Sequence, residues 1–382
     1  MMKINLSKAF FERVSQFKLI TFLGIICIAG GAVLWSAFAG EGTIYAPLLA
    51  TTRLPLEMTF VGDVMFGRYK ESGLDRNPET VDRPFDAVRS LIESDIAVVN
   101  LETALLREPP AMSPWGARLR FAAGVWAADA LEAAGFTAAS LANNHSYDMK
   151  YTGLRNTREL LREREITPIG VARESDNGVN VVTLSVNGWQ VGFIGFSSVL
   201  NSLDLADDPT TPYVPYYRDV PEMLRTTIET ARPTLHLVVV IAHWGRSEAD
   251  VPEWDRREAS RRLIDIGADV VIGHHPHRLQ GIERYKNGVI AHSLGDFLFD
   301  KLRMPNHLSG VLRLRYLPGQ RQPEKVMFHP VVITRTGSNI RPVPASGGSA
   351  RMVYQRLQSL SAPYNTNWIY DRRSYFEMQN TN

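Results

Sequence analysis

Cysteine is almost absent from this sequence, since Cys27 is the single cysteine among 382 residues. One cysteine cannot form a disulfide within the chain, which excludes the disulfide-stapled class of scaffold. Cys27 follows Ile26, a residue too large for the position before a lipid-modified cysteine. We therefore expect Cys27 to face lipid as an ordinary apolar residue.

An excess of charge of either sign is also missing. The chain has 42 basic and 40 acidic residues, and 38 basic and 39 acidic residues remain when residues 1–40 are left out. Such a balance lacks the basic footprint of nucleic-acid binding, so we expect no nucleic-acid partner.

Internal repeats and low-complexity tracts are absent as well. The roughly 340 residues beyond position 40 fit one large α/β domain.

Residues 19–40 lack charge altogether, although four basic residues and only one acidic residue precede them. At about 1.5 Å per residue, a helix of this length can cross the roughly 30 Å hydrocarbon core of a membrane. The basic flank predicts a cytoplasmic N-terminus. We predict a cytoplasmic segment at 1–18, a single transmembrane anchor at 19–40, a linker at 41–56, and an extracytoplasmic location for the rest.

A cleaved signal peptide is the alternative interpretation of this stretch, because Ala37-Phe38-Ala39 has a small-x-small pattern. The apolar stretch is longer than the usual signal-peptide core of about 7–15 residues, which favours the uncleaved anchor.

The run Val-Ile-Gly-His-His-Pro-His at 271–277 places three imidazoles directly after an apolar strand. Neutral imidazole is a strong ligand for zinc, manganese, iron and nickel, and close spacing lets two rings converge on one ion. A polar loop that only caps a sheet is the structural alternative. Since other segments carry similar residues, we favour a site for a divalent metal at His274, His275 and His277.

Four further apolar strands also end in residues that bind metals or substrates. Because sites in open α/β sheets lie outside the carboxyl ends of the strands, these side chains can converge although they are distant in sequence. The strand ends carry Asp63; Asn100 and Glu102; Asn143, Asn144 and His145; and His243 followed by Trp244.

The remaining pattern indicates an α/β fold. Apolar periodicity predicts helices near 84–93, 125–134, 152–164, 219–231 and 253–266, each between strands. Asn187-Gly188 and Asn287-Gly288 predict hairpin turns. Residues 200–218, rich in Asp, Pro and Tyr, predict an irregular loop that could overhang the site. Beyond residue 336, a Gly- and Ser-rich stretch precedes a short predicted helix near 349–359.

Taken together, these segments resemble the capsule-synthesis protein family typified by CapA and PgsA, within the calcineurin-like metallophosphoesterase superfamily. The resemblance runs from about residue 57 to residue 300 and implies a two-sheet sandwich flanked by helices. We place this domain at 57–335, followed by a C-terminal extension at 336–382 that lies outside the resemblance. It depends on Gly-Asp-Val-Met-Phe-Gly-Arg (62–68), Asn-Leu-Glu-Thr (100–103), Asn-Asn-His-Ser-Tyr-Asp (143–148), His-Trp-Gly (243–245), Gly-His-His-Pro-His (273–277) and Ser-Leu-Gly-Asp-Phe (293–297).

The resemblance also implies roles for single residues. His145 would contact a phosphoryl group and protonate the leaving oxygen, and Asp148 would hold the His145 imidazole. If the chemistry is hydrolytic, Arg68 can neutralise phosphoryl charge; the alternative for Arg68 is an exposed ion pair with a surface carboxylate. Asn100, Asn143 and Trp244 would contact substrate, although packing is the favoured role of Trp244. The implied metal ligands are Asp63, Glu102, Asn144, His243, His274, His275 and His277.

One departure from the superfamily concerns Met65, which stands where the first motif usually has a histidine. A thioether is a soft, weak ligand for the hard ions that cleave phosphates. We therefore expect one firmly held divalent ion, manganese, zinc, iron or magnesium, with a second ion weak or absent. Asp296 could be a site residue or could organise a turn through its backbone bonds. Four histidines are expected to be structural: His236, His292, His307 and His329.

Two functional classes remain open. In the first, the domain is a metal-dependent hydrolase of a phosphoester or a related bond in the cell envelope. In the second, it is a membrane-anchored accessory subunit for synthesis or export of an anionic polymer such as poly-γ-glutamate, working with a membrane-bound synthase or export subunits. Met65 favours the second class, whereas His145 with Asp148 favours the first.

Overall fold

The computed structural model describes residues 26–28, 31–33, 53–67, 83–108, 120–172, 180–201, 214, 220–337, 339–371 and 374–379. The chain divides into two units, Met1–Ala50 and Thr51–Asn382. Arg68 and most of the predicted loop at 200–218 lie outside the described residues.

In the first unit, two three-residue strands, β1 (Ile26–Ile28) and β2 (Gly31–Val33), pair antiparallel. The rest of the predicted anchor at 19–40 lies outside the described residues. Among the helices that the structure describes, none has the length and apolar character needed to span a bilayer. The anchor and its topology stay predictions.

The larger sheet of the second unit follows a path of eight strands, with two further strands paired alongside. β15 (Asp296–Leu298) pairs with β3 (Leu56–Val64), and β18 (Asn339–Pro344) pairs with β17 (Lys325–Thr336). The order across the path is β19 (Trp368–Asp371), β20 (Tyr375–Met378), β17 (Lys325–Thr336), β16 (Leu308–Tyr316), β3 (Leu56–Val64), β4 (Ile96–Leu101), β7 (Ala138–Ser140) and β8 (Thr167–Ile169).

The smaller sheet has six strands, four of them parallel. Its order is β13 (Ile282–Tyr285), β14 (Gly288–Ala291), β12 (Val270–His274), β11 (Leu237–His243), β10 (Trp189–Ser197) and β9 (Val181–Val186). A separate small pair joins β5 (Ala104–Leu105) to β6 (Ala122–Ala123). The Asn187-Gly188 and Asn287-Gly288 turns connect β9 to β10 and β13 to β14, which confirms both predicted hairpins.

The helices lie close to the predicted positions. α6 extends the helix predicted near 349–359, and Ser346 and Ser349 form a capping box at its first turn. Short 3-10 turns precede or follow three of the helices. The helices are α1 (Arg89–Ile92), α2 (Trp126–Ala133), α3 (Lys150–Arg162), α4 (Val220–Ala231), α5 (Trp254–Asp265) and α6 (Gly347–Ser361).

Strand β11 shows how the layers are built. Its residues are all buried, as expected for a parallel strand covered on both faces. Val239 and Ile241 belong to the apolar core shared by the two sheets. Val238 and Val240 point the other way and pack with α4 and α5. A third core joins α2 and α3 to the outer face of the larger sheet. The result is a mixed α/β sandwich with helices on both outer faces.

The C-terminal segment belongs to this second unit. β20 pairs with β17, and Phe376 stacks on Phe328 with ring centroids 6.4 Å apart. Val353 and Leu357 of α6 enter the core between the sheets. The segment at 336–382 therefore completes the sandwich.

Candidate metal centre

The pleat of the strands directs the predicted ligands toward the space between the sheets. Side chains two residues apart share one face of a strand. His243 follows Ile241 on the inner face of β11, His274 follows Ile272 on β12, and Asn100 follows Val98 on β4. The register places His243 opposite His274. Strand ends that are distant in sequence therefore deliver their polar groups to one edge of the sandwich.

Asp63 reaches the same face because β3 contains an irregularity. The register between β3 and β4 shifts between Phe60 and Asp63, so that Asp63 lies opposite Asn100. Such a bulge changes the direction in which the following side chains point. Without the shift, period-two alternation from Phe60 would direct Asp63 to the outer face.

A second Gly-Asp pair lies beside the first. β15 runs parallel to β3 and places Asp296 opposite Asp63. The Asp63 amide donates a hydrogen bond to the Gly295 carbonyl oxygen over 2.8 Å. A Cβ on Gly62 would overlap that oxygen, so the approach of the two strands requires glycine.

His277 lies between the two carboxylates. Its Nδ1 atom is 2.9 Å from Asp296 Oδ1 and 3.3 Å from Asp63 Oδ2. Asp63, His277 and Asp296 each offer a ligand atom within 4.8 Å of the others. All three side chains are buried. Asp296, for which the sequence left a site role and a turn role open, therefore has its carboxylate in the site.

Glu102 adds a third buried carboxylate. Asn100 Nδ2 donates to Asp63 Oδ1 over 2.9 Å and to Glu102 Oε1 over 3.1 Å. Asn143 Nδ2 donates to the Asn100 side-chain oxygen and to the Leu101 carbonyl. Asn100 and Asn143 thus hold the carboxylates in place, and none of their contacts supports the predicted role in substrate binding.

A second group of donors meets at His243. Its Nε2 atom lies 2.8 Å from Asn144 Oδ1 and 3.2 Å from His275 Nδ1. His243 Nδ1 is 3.7 Å from Glu102 Oε1, which links this group to the carboxylates. Asn144, His243 and His275 therefore form a nitrogen-rich set beside the carboxylate-rich set of Asp63, His277 and Asp296.

The three clustered histidines have different positions. His274 Nδ1 contacts Asp63 Oδ1 at 2.7 Å, and the His275 amide donates to Asp63 Oδ2 over 3.3 Å. The backbone of His275 and His277 has positive φ angles of 96° and 58°. Residues other than glycine rarely adopt such angles, and this strain concentrates at functional sites. With these backbone angles, the His275 side chain contacts His243 and the His277 side chain contacts Asp63 and Asp296.

The carboxylates differ in their pKa shifts. Burial alone would raise the pKa of Asp63, but hydrogen bonds with His274 and His277 outweigh it and hold the pKa well below the usual range. Burial raises the pKa of Glu102 well above its usual value, and the charge of Asp63 adds to the effect. Burial also raises the pKa of Asp296 to about 7, against the influence of His277.

The imidazoles also differ in protonation. Burial lowers the pKa of His243 well below its usual value and that of His275 to about 4, with neighbouring imidazoles adding to both shifts. Burial would lower the pKa of His277, but the Asp296 and Glu102 carboxylates raise it well above the usual value. The lowered pKa values of His243 and His275 favour the neutral form, which is the form that binds metal. The raised pKa of His277 favours its protonated form beside Asp296 and Asp63.

The donor set fits a divalent ion. Glu102 Oε2 and Asp296 Oδ2 are buried and have no hydrogen-bond partner in the part of the chain that the structure describes. A buried acceptor without a partner is costly, and a cation would satisfy both atoms. Asp63, Asp296, His277 and Glu102 would hold an ion that prefers oxygen ligands, while Asn144, His243 and His275 suit a softer one.

His145 lies next to this donor set. Its Nδ1 atom is 2.7 Å from Asp148 Oδ2, and both side chains are buried. The Phe121 ring stacks on the imidazole with centroids 3.9 Å apart, and the Phe121 amide donates to the same Asp148 oxygen. Arg120 Nη1 donates to the Asp148 carbonyl over 2.7 Å. The predicted pair of His145 and Asp148 is thus assembled.

Asn201 is a site residue that the sequence reasoning missed. The Asn201 Oδ1 atom accepts a hydrogen bond of 3.1 Å from Asn144 Nδ2. The backbone amide of Asn201 donates to the backbone carbonyl of Asn144. Because the Asn144 amide nitrogen is held by Asn201, the Asn144 oxygen faces His243. No motif marks Asn201, whereas the repeated Gly-Asp pair favours the site role that the sequence left open for Asp296.

Met65 and Trp244 belong to the packing around the site. Met65 forms an apolar cluster with Phe121 and Phe299, the rings that contact His145 and His277. Trp244 is 3% exposed and packs on Phe196 in the core beneath α4 and α5. These contacts agree with the favoured packing role of Trp244 and give no support to substrate binding.

Comparison with known proteins decides the family. Residues 57–301 match the family model described as the bacterial capsule synthesis protein PGA_cap. The chain belongs to this family. Its relatives include the capsule biosynthesis protein CapA of Bacillus anthracis, 30% identical over 264 residues, which cover 67% of this chain and 62% of that protein. The match thus spans less than two thirds of the Bacillus anthracis protein.

Other relatives have related names. The PGA biosynthesis protein CapA of Bacillus subtilis is 29% identical over 272 residues, which cover 70% of each chain. A probable polyglutamine synthesis accessory protein of Mycobacterium tuberculosis is 27% identical over 188 residues, which cover 47% of this chain and 50% of that protein. Both agree with membership of the PGA_cap family.

Similarity to solved structures is weaker. The NAD nucleotidase of Haemophilus influenzae aligns with a TM-score of 0.42 and 14% identity, covering 81% of this chain and 63% of that chain. A hypothetical protein from Thermus thermophilus aligns with a TM-score of 0.39 and 17% identity, covering 75% of this chain and 98% of that one. Likenesses of this size support no conclusion about activity.

Proposed function

We propose that this protein acts in the synthesis or export of an anionic capsule polymer of the poly-γ-glutamate type. Membership of the capsule synthesis family supports the proposal, as do the names of the two Bacillus relatives. In this proposal the chain is a membrane-anchored, extracytoplasmic subunit that works with a membrane-bound synthase or exporter. The uncharged stretch at 19–40 supports the anchor.

The observation that carries a metal-dependent role is the position of His277 between Asp63 and Asp296. Three buried carboxylates lie beside several buried imidazoles, delivered by strand ends that are far apart in sequence, which is improbable as a purely structural cluster. Buried charges of one sign repel each other and lose hydration unless a cation pairs with them. We therefore propose that a divalent metal is part of the functional protein.

A bound divalent ion would neutralise the negative charge of a polymer segment and lower the pKa of a bound water toward neutrality. The residues of this chain orient the ligands and exclude water. Asn100 and Asn143 orient the carboxylates, and Asn201 orients Asn144. Phe121 excludes water from one face of His145.

Hydrolysis of a phosphoester in another envelope substrate is a second candidate function, and the pair of His145 and Asp148 favours it. Asp148 would fix the His145 imidazole through Nδ1 at 2.7 Å, leaving Nε2 to donate a proton to a leaving oxygen. In this candidate, His145→Ala abolishes cleavage of a generic phosphodiester while metal content is unchanged. Equal turnover by the parent and the variant would remove His145 from any such mechanism.

The polymer role is tested by deleting the gene and restoring it with the parent or with His275→Ala combined with His277→Ala. Chemical analysis of the surface polymer is the readout. We expect the parent to restore the polymer and the double variant to fail, while His236→Gln, which lies away from the site, restores it. An unchanged surface polymer in the deletion strain would contradict the polymer role. Full rescue by the double variant would show that the role does not need the metal.

A further inference from the structure

A second polar group lies inside the sandwich, at the end opposite the metal centre. Tyr316, at the end of β16, pairs with Leu56 at the start of β3, whereas Asp63 is near the end of that strand. Seven residues of strand separate the two levels by about 23 Å. On the other sheet, Arg284 pairs with Val289, which pairs with Val270 at the start of β12.

Both side chains point into the space between the sheets. Arg284 is two residues from Ile282, and Tyr316 is two residues from Leu314, so each shares a strand face with its neighbour. Ile282 and Leu314 belong to the core that the two sheets share, and so does Tyr316. The Arg284 amide donates to Thr366 Oγ1 over 3.2 Å, which ties this end of β13 to the C-terminal segment.

The polar atoms of this group have no partners. All three guanidinium nitrogens of Arg284 and the hydroxyl of Tyr316 are buried without a hydrogen bond among the described residues. Tyr316 as a whole is 0% exposed, whereas Arg284 as a whole is partly exposed although its guanidinium nitrogens are buried. A guanidinium stays protonated inside proteins. A buried charge without hydrogen bonds or a counter-ion is strongly destabilising, so this arrangement requires something to pair with it.

Neighbouring carboxylates are engaged elsewhere. Glu283 lies on the opposite face of β13 and accepts hydrogen bonds from Arg261 while contacting His292. Asp269 accepts from Arg232, Arg321 and the Val238 amide. Water could supply hydrogen bonds to Arg284 but not a negative charge.

The pKa shifts of Arg284 and Tyr316 agree with the burial of their polar atoms. Burial lowers the pKa of Arg284, and burial raises the pKa of the Tyr316 hydroxyl. The Asp269 carboxylate also raises the pKa of Tyr316, while Arg284 lowers it and Tyr316 raises the pKa of Arg284. Arg284 and Tyr316 therefore lie within electrostatic range of each other. Neutral Tyr316 can therefore donate its proton to the same ligand that Arg284 binds.

We propose that Arg284 and Tyr316 bind a small monovalent anion of the size of chloride between the two sheets. The guanidinium supplies the positive charge and a fork of donors, and the phenol supplies one further donor. The nitrogens have no access to solvent, which restricts the ligand to ions small enough to enter through fluctuations of the fold. The site is separate from the metal centre and does not depend on the proposed polymer role.

Thermal unfolding of the full chain in sodium chloride, compared with sodium gluconate at equal ionic strength, tests the proposal. An ion that binds only the folded state raises the melting temperature as its concentration rises. We expect a rise of about 2 °C or more with chloride beyond the effect of gluconate. Melting curves of the parent that coincide in the two salts would overturn the proposal.

Variants identify the residues involved. Arg284→Met should remove the difference in melting temperature between chloride and gluconate. Tyr316→Phe should keep that difference but require about tenfold higher chloride for half of the stabilisation. Arg315→Met is the matched control, because Arg315 lies beside Tyr316 but forms a partly exposed ion pair with Glu324. It should keep the chloride effect. Bromide soaked into crystals should give anomalous density beside Arg284, which keeps the test decisive if Arg284→Met does not fold. Density only at surface positions would contradict the site.

Discussion

Asp296 lies opposite Asp63 on the neighbouring parallel strand, and the His277 imidazole lies between their carboxylates. This relationship changes the expected ligand set. Met65 packs with Phe121 and Phe299 beside the site, and Asp296 supplies a carboxylate next to Asp63 and His277. A ligand set expected to be weakened at Met65 therefore includes a carboxylate from another strand.

Asp296→Asn should lower the affinity for divalent metal by at least about tenfold, because it removes a negative charge that faces the ion. Titration of the metal-free full chain with manganese or zinc measures the change. The control is Asp255→Asn, whose carboxylate is exposed at the start of α5. Unchanged affinity in Asp296→Asn would show that Asp296 only organises its turn.

Gly295→Ala should destabilise the fold and weaken metal binding together. A Cβ on Gly295 would lie 2.6 Å from the Leu279 amide nitrogen, and the residue has a φ of 70°. Gly319 has a φ of 84° with open space around its Cβ, so Gly319→Ala has the same backbone strain without the overlap.

We expect Gly319→Ala to lower the unfolding free energy by about 1–2 kcal/mol and Gly295→Ala by about 1–3 kcal/mol more. Urea unfolding measures both, and metal titration should detect a loss in Gly295→Ala alone. Equal effects of the two substitutions would show that the close approach of Gly295 to the backbone of Arg278 and Leu279 is not required.

Asn201→Ala should reduce metal affinity about 10–100-fold, as is typical when a residue that orients a ligand is removed. The variant frees the Asn144 amide to rotate its oxygen away from His243. Asn201→Asp keeps an acceptor for Asn144 Nδ2 and should retain most of the affinity. Loss of affinity in both variants to the same extent would contradict a role in orienting Asn144.

Phe376→Ala should lower the unfolding free energy by about 3–5 kcal/mol, because the ring is fully buried between β17 and α6. Ile369 lies on the paired strand β19 with 49% of its surface exposed, so Ile369→Ala should cost about 1 kcal/mol or less. A single unfolding transition that Phe376→Ala shifts as a whole would show that the C-terminal segment folds with the sandwich. A separate early transition would contradict this.

The sequence predicted that His243 and His274 converge, because both follow apolar strands whose carboxyl ends meet at one edge of a sheet. The parallel pairing of β11 and β12 places the two residues opposite each other. The pair of His145 and Asp148 was expected from the family resemblance, and the structure places the two side chains in contact. For Asp296 the sequence left a site role and a turn role open, since the pairing of β15 with β3 is not visible in either segment alone.

Other features depend on tertiary contacts that no local pattern encodes. The bulge that turns Asp63 inward is set by how β3 fits between β4 and β16. Asn201 lies at the start of an irregular Asp- and Pro-rich stretch without periodicity. The integration of α6 and β20 into the core could not be read from the Gly- and Ser-rich segment that precedes them.

Elemental analysis of the full chain, purified in detergent without chelator, shows whether the donor set holds a divalent metal. We expect at least one divalent transition metal or magnesium ion per chain in the parent. We also expect loss of that metal when Asp63 and His277 are both replaced by alanine. Metal at background level in a folded parent protein, even after incubation with manganese or zinc, would show that Asp63, His277 and Asp296 do not form a metal site.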